Sequence, residues 1–270
     1  MSEALRKRVT TAAVLIALLL AVLFWLPAAA TVAVLTLVVL AGAWEWSAFL
    51  RLSGPAPRAA YVALLAVLLP LAWVATRTPA ALEALLGVAL LWWIVALAWI
   101  VLAPRRVRPW SAGLAGLLSL VPAWLALMRL RFQAAHGAEW VLFALVLVWM
   151  ADIGAYFCGR RLGRRRLAPA VSPGKTWEGA LGGVAASGIV AVAGAVWFHL
   201  PPGPFIALCL VAVVFSIVGD LTESLLKRFA GMKDSGTLFP GHGGVMDRID
   251  SVTGAVPVLL LGLTFLGVLP

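Results

Sequence analysis

The chain has 270 residues, of which 63% are hydrophobic and 12% charged, with a mean hydropathy of +1.04 and a formal net charge of +10. A soluble globular domain carries roughly 25% charged residues, so this composition excludes an ordinary water-soluble fold and points to an integral membrane protein. Its two cysteines, Cys158 and Cys209, lie in or beside apolar runs at a spacing that fits no metal or redox motif, and read as small buried hydrophobes.

Nine apolar stretches approach the length of about 20 residues that a helix needs to cross a bilayer. In chain order they cover residues 10–26, 29–50, 60–76, 80–103, 111–129, 139–158, 177–198, 204–223 and 249–269. The expected fold is therefore all-α and polytopic, with about nine transmembrane helices and no separate soluble domain. Arg6, Lys7 and Arg8, followed by an apolar run and Ala28-Ala29-Ala30, imitate a cleaved signal peptide. The next apolar run begins at once, so an uncleaved first span is expected. Glu45, in "AWEWSAFL" at the end of the second span, reads as structural or interfacial, as do His136 and His199. The 13 tryptophans are expected mostly at membrane interfaces.

Charge fixes an expected topology. With the N-terminus cytoplasmic, the loops on that side collect 18 of the 21 Lys and Arg residues, leaving Arg77, Arg129 and Arg131 on the other. The positive-inside rule produces this bias, which puts the C-terminus outside. Seven of the 11 acidic residues fall in the second half near the same face: Asp152, Glu178, Asp220, Glu223, Asp234, Asp247 and Asp250. Residues 1–135 accordingly read as scaffold and 136–270 as a catalytic half with cytoplasmic loops 159–176 and 224–248. No internal repeat is evident, which weighs against a transporter built from duplicated halves.

The candidate chemistry begins at Asp152, in "WMADIGAYFCGR", which either lines a site or pairs with a loop arginine. The following loop reads "GRRLGRRRLAPAVSPGKTWEG". Its Gly174-Lys175-Thr176 resembles part of a phosphate-binding P-loop, but position 169 is proline and no strand is expected before it, so that reading is rejected. Lys175 and the five neighbouring arginines can still attract a triphosphate or anionic lipid head groups.

In "GDLTESLLKRF" the residues Asp220, Glu223, Ser224, Lys227 and Arg228 fall at helical spacing on one polar stripe. A carboxylate inside a span costs roughly 2.5–3.5 kcal/mol on insertion scales, so Asp220 calls for a partner or a function. "AGMKDSGTLFPGHGG" follows, rich in glycines that permit close backbone approach, with Lys233 and His242 nearby. "VMDRID" then sets Asp247 and Asp250 about one turn apart at the start of the last helix, where they serve either as caps or as donors to a divalent cation. Carboxylates, cations and glycines in this order suit phosphoryl or nucleotidyl transfer, which works mainly by positioning and charge neutralisation.

At this point the sequence resembles the phosphatidate cytidylyltransferases, or CDP-diacylglycerol synthases. The family signature is matched at Ser224, Leu226, Lys227-Arg228, Lys233-Asp234, Gly236, Phe239, Pro240, His242-Gly243-Gly244, Val245, Asp247-Arg248, Ile249 and Asp250. "D-x-x-A-Y" at Asp152 to Tyr156 and "SPGKTWEG" at Ser172 to Gly179 also look like features of that family.

The resemblance implies that CTP and phosphatidic acid react to give CDP-diacylglycerol and pyrophosphate, with one or two Mg²⁺ ions. It implies Asp220 and Asp247 as metal carboxylates that are catalytic together with Lys227 and Arg228. Substrate-binding roles are implied for Lys175, Ser224, Lys233, His242, Arg248 and the Gly243-Gly244 backbone, with Asp152, Glu223, Asp234 and Asp250 behind them as orienting groups. The implied setting is a bacterial inner membrane, with the site facing the cytoplasm. The partners are CTP, phosphatidic acid and membrane lipids, not nucleic acid, in a homodimer. A CTP-dependent polyprenol or dolichol kinase and a lipid transporter are the alternatives. The closely spaced aspartates of the CDP-alcohol phosphotransferases are absent.

Overall fold

The computed structural model describes residues 3–133, 136–238 and 243–269. Among them the regular structure is nine α-helices and one small hairpin: α1 (Glu3–Phe24), α2 (Ala28–Trp46), α3 (Pro55–Ala75), α4 (Pro79–Leu102), α5 (Pro109–Gln133), α6 (Gly137–Leu162), β1 (Arg166–Ala168), β2 (Ser172–Thr176), α7 (Trp177–Trp197), α8 (Pro202–Ala230) and α9 (Met246–Phe265). A short 3-10 turn, Ser47–Leu50, continues α2. Eight of these helices are long and apolar enough to cross a membrane, while the apolar part of α1, Ala13–Phe24, is shorter. The expectation of nine spans therefore holds for α2 to α9, with a shorter first element.

Local sequence sets the helix ends. Pro55, Pro79, Pro109 and Pro202 open their helices, at the position where a missing N–H costs nothing. The hydroxyls of Thr78 and Thr176 cap α4 and α7 by accepting from Ala81 N–H and Gly179 N–H. Gly231, at φ +74°, closes α8 in the left-handed conformation.

The helices wrap around α9. Most of α9 and α5 is buried, whereas most of α3 faces outward. α9 packs against α2, α4 and α5 from the first half of the chain and against α6 and α8 from the second. Two features bring the chemistry-bearing helices close together. α7 carries Gly179, Gly183, Ser187, Ala191 and Ala195 at four-residue intervals, all buried; this small stripe lets α6 approach, and Ser187 Oγ donates to Leu147 O at 2.9 Å. α8 and α9 meet at Gly219 and Gly254, where an added Cβ would run into the backbone carbonyls of Asp250 and Phe215.

One end of the molecule gathers the basic loops. Trp46 Nε1 donates to Ala112 O at 2.8 Å and Tyr61 OH to Gly113 O at 2.9 Å, locking the end of α2 onto the start of α5. Arg51 donates to Phe229 O and lies over the Phe229 ring, which fastens the turn after α2 to the last turn of α8. Arg129 is buried at the other end, donating to Thr76 O at 2.5 Å.

The structure corrects two expectations. Loop 159–176 contains an antiparallel hairpin, β1 against β2, because the backbone of this arginine-rich segment pairs with itself beside the helix ends. The tryptophans divide between interface and core: Trp25, Trp110 and Trp197 are exposed, but Trp46, Trp92, Trp93, Trp124 and Trp140 are buried. The indole N–H finds an acceptor in Trp92, at Ser119 Oγ (3.0 Å), and in Trp124, at Thr36 Oγ1 (2.8 Å), whereas that of Trp93 is buried without one. Cys209 is buried and Cys158 half-buried against Gly182, as expected of small apolar side chains.

The α8–α9 crossing yields a stability prediction. Gly254→Val forces a side chain against Phe215 O, and overpacking of this kind costs about 1–3 kcal/mol. Gly87→Ala, with open space around it, should be neutral or slightly stabilising. Thermal unfolding in detergent micelles is expected to show a clear fall in Tm for the first variant only.

Candidate active site

The close crossing of α8 and α9 places a ladder of charges inside the protein. Lys227 Nζ lies 2.5 Å from Glu223 Oε2 and 2.7 Å from Asp247 Oδ1, joining the two helices. The Glu223 side chain is 1% exposed; its Oε1 makes no hydrogen bond of good geometry, and the Asp250 carboxyl lies beside it. Asp250 is itself buried, and its Oδ1 accepts from Ser251 N–H at 2.7 Å. Isolated charges cannot be sustained at such depth. Lys227 is held because two carboxylates share it.

Asp247 is the most heavily bonded of these acids. Its Oδ2 accepts from the backbone N–H groups of Ser235 (3.0 Å) and Gly244 (2.8 Å), with Ser235 Oγ also at 3.0 Å. Gly243, at φ +79°, has no room for a Cβ, which would strike Asp247 Oδ2. The Gly244 N–H is thus directed at a carboxylate of the chain itself.

Beside the ladder lies a cavity of about 520 Å³. Asp152, Lys175, Asp220 and Arg248 line it together with Tyr156, Arg160 and Thr176, and small or apolar side chains of α6, α7 and α8 complete it, including Ala151, Ala155, Ala180 and Ile217. Lys175 reaches from β2 to form an ion pair with Asp220. The hairpin holds it there: Glu178 Oε2 accepts from the N–H groups of Arg164 (3.0 Å) and Arg165 (3.2 Å), folding β1 back onto the start of α7. Gly174-Lys175-Thr176 therefore forms the end of a strand rather than a phosphate-wrapping loop, in keeping with the rejection of a P-loop. Arg160 Nη1 donates to Tyr156 OH at 2.9 Å near the rim.

The expected site residues thus fall into groups. Asp152, Lys175, Asp220 and Arg248 meet in the cavity, while Glu223, Lys227, Asp247 and Asp250 occupy the helix crossing behind it. Ser224 is half-buried on the next turn of α8, and Arg228 is exposed, its Nε donating to Val171 O at 3.4 Å. Lys233 and Asp234 are exposed on the loop. His242 lies outside the described residues.

One participant was absent from the expected set. Glu45 is buried rather than interfacial, and it accepts from Val245 N–H (3.0 Å), Met246 N–H (2.8 Å) and Ser235 Oγ (2.9 Å). A lone carboxylate in an apolar span was the signal nearest to it in the sequence.

The acids suit a hard divalent cation in donor type. Among the described residues no three of His, Cys, Asp or Glu converge to hold a metal. Mg²⁺ commonly uses only one or two carboxylates and completes its shell with water and substrate phosphate; Asp220 lines the cavity, whereas Asp247 would have to exchange present bonds to Lys227, Ser235 or Gly244 to join it.

Comparison with known proteins adds an independent finding. Residues 6–266 match the cytidylyltransferase family. The chain is similar to the phosphatidate cytidylyltransferase of Pseudomonas aeruginosa, 44% identical over 263 residues, which cover 94% of this chain and 95% of that protein. The phosphatidate cytidylyltransferase of Haemophilus influenzae is 38% identical over 281 residues, covering 94% and 96% respectively. That of Bacillus subtilis is 42% identical over 138 residues, or 49% and 50%.

The ion ladder can be tested directly. Lys227→Met leaves two buried carboxylates without their cation and is expected to cost about 3–5 kcal/mol. Adding Glu223→Gln to that variant removes one of the uncompensated charges and should restore part of the loss. A single variant that unfolds at the parental midpoint in micelles would contradict the buried pairing.

Proposed function

The chain belongs to the cytidylyltransferase family and is an integral membrane enzyme of it; from that premise we propose that it transfers the cytidylyl group of CTP to phosphatidic acid, forming CDP-diacylglycerol and pyrophosphate. We place the reaction at the cytoplasmic face of a bacterial inner membrane, on the strength of the 18-to-3 charge bias of the loops. The observation that carries the reading is the cavity. It joins three cations and two carboxylates to an apolar wall within a membrane-spanning bundle, as a lipid phosphate meeting a nucleotide requires.

The chemistry follows from charge. A phosphate monoester has a second pKa near 6, so the phosphatidate oxygen is largely ionised at pH 7 and attacks without a strong general base. A new P–O bond forms at the α-phosphorus of CTP as the bond to the β-phosphate oxygen breaks, and pyrophosphate leaves with that electron pair. The obstacle is the approach of one polyanion to another.

Lys175 and Arg248 meet that obstacle in the cavity. Lys175 exchanges its ion pair with Asp220 for a phosphate oxygen as substrate enters, and Arg248 offers the planar donor set that suits phosphate. Lys227 acts from behind by fixing Asp247. Arg228 and Lys233 lie near the same end and extend the positive field toward entering CTP, with the Ser224 hydroxyl as a hydrogen-bond donor. Mg²⁺ held by Asp220 and Asp247 would neutralise charge on the triphosphate and on departing pyrophosphate.

The experiment uses purified protein in detergent with phosphatidic acid, Mg²⁺ and CTP labelled at the α-phosphorus. Label is expected in the lipid product. Label retained wholly in CDP would instead indicate a kinase, and no pyrophosphate release at all would indicate a non-enzymatic membrane role. Asp220→Asn and Asp247→Asn should each lower turnover on the order of 100-fold or more while the protein stays monodisperse.

A further inference from the structure

We infer that Glu45, on α2 in the first half of the chain, is a positioning residue for the reaction, acting on Asp247 through Ser235 and through the first turn of α9; this rests on the cytidylyltransferase reading above. No local feature of α2 requires a carboxylate here. Its bonds are all made with residues 190 or more positions away in the chain.

The geometry is that of a remote cap. The first N–H groups of a helix have no partner within the helix, and α9 begins at Val245 without a side-chain cap of its own. Glu45 supplies both acceptors, Oε1 to Val245 N–H at 3.0 Å and Oε2 to Met246 N–H at 2.8 Å. A negative charge at this end also complements the helix dipole. The residue after Met246 is Asp247, so the contact fixes the backbone that carries that carboxylate.

Ser235 provides a second path. Its Oγ is 2.9 Å from Glu45 Oε2 and 3.0 Å from Asp247 Oδ2, so a single hydroxyl is shared between two carboxylates. Its backbone N–H donates to Asp247 as well. Glu45 thereby orients the group that orients Asp247.

The surrounding backbone is shaped to this carboxylate. An added Cβ at Gly236 or at Gly244 would collide with the Glu45 carboxylate, so the loop can close on it only where side chains are absent. Glu45 itself stands on a stiff base, because neighbouring Trp46 and Ser47 are bonded to Ala112 O (2.8 Å) and Trp44 O (2.6 Å). A rigid first-half element thus sets the position of a second-half catalytic group.

Steady-state kinetics of Glu45→Gln, Ser235→Ala and the double variant, in detergent with CTP and phosphatidic acid, provide the test. Glu45→Gln keeps the shape but turns an amide donor toward N–H donors. It is expected to lower kcat on the order of 10- to 100-fold, the scale of a small misplacement of a catalytic group, with KM for CTP within about threefold of the parent. Ser235→Ala should lower kcat less, and the double variant should fall no further than Glu45→Gln alone, because the Ser235 hydroxyl is one of the two routes by which Glu45 acts on Asp247. Glu45→Asp, which keeps the charge but withdraws it, should recover part of the loss.

A Tm lowered with kcat and KM of the monodisperse fraction unchanged would overturn the inference and leave Glu45 a structural residue. Additive losses in the double variant would overturn it too. Ser235→Ala keeps the test open if the Glu45 variants do not fold. A parent that makes no CDP-diacylglycerol refutes the cytidylyltransferase reading instead, a result distinct from any of these.

Discussion

The arrangement depends on the ion pairs made by one ammonium group. Lys227 lies between Glu223 of its own helix and Asp247 of the next, in a protein whose composition leaves little else polar. A buried charge with one good partner barely offsets its desolvation; with two it becomes the tie that fixes how two helices lie. Gly219 and Gly254 make that tie possible by letting the backbones approach. The register of α8 against α9 follows, and with it the position of Asp220 and Arg248 at the cavity.

A second ion pair works on the opposite principle. Lys175 and Asp220 are each partly open to solvent, so their attraction is screened and exchangeable. The molecule thus separates two uses of the same chemistry: a deep pair that holds the frame, and a shallow pair that solvent reaches on the cavity wall. The hairpin carrying Lys175 is tied through Glu178 and the Thr176 cap at its base and through Val171, buried in the core, at its turn, so that Gly174, Lys175 and Thr176 are held along the cavity wall.

Much of this was legible in the sequence. The spans could be read because hydropathy over about 20 residues is a long-range average that tolerates local noise, and α2 to α9 fall within a few residues of the expected limits, apart from the longer end of α8. Ser224 to Asp250 could be read because fixed gaps between charged residues and glycines carry far more information than composition. The hairpin could not, since three- and five-residue strands show no usable alternation. Glu45 could not, because its partners are 190 or more residues away and nothing nearby marks it. Two hints did exist: a solitary acid in an apolar span, and the Gly236 and Gly244 positions, which are small for reasons the loop does not itself explain. The buried tryptophans show the same limit, since whether an indole reaches Thr36 or Ser119 depends on which helices become neighbours.

The small stripe on α7 has a consequence for how this helix can vary. Gly179, Gly183, Ser187, Ala191 and Ala195 face α6 at every fourth position, while Leu181, Ile189, Val192 and Val196 are exposed on the outer side. The inner positions are limited by volume and the outer ones only by oiliness, two kinds of selection on one short segment. Tolerated substitutions along α7 should therefore recur with a period of about four, a rhythm invisible in the hydropathy profile because glycine, alanine, leucine and valine all suit a membrane span.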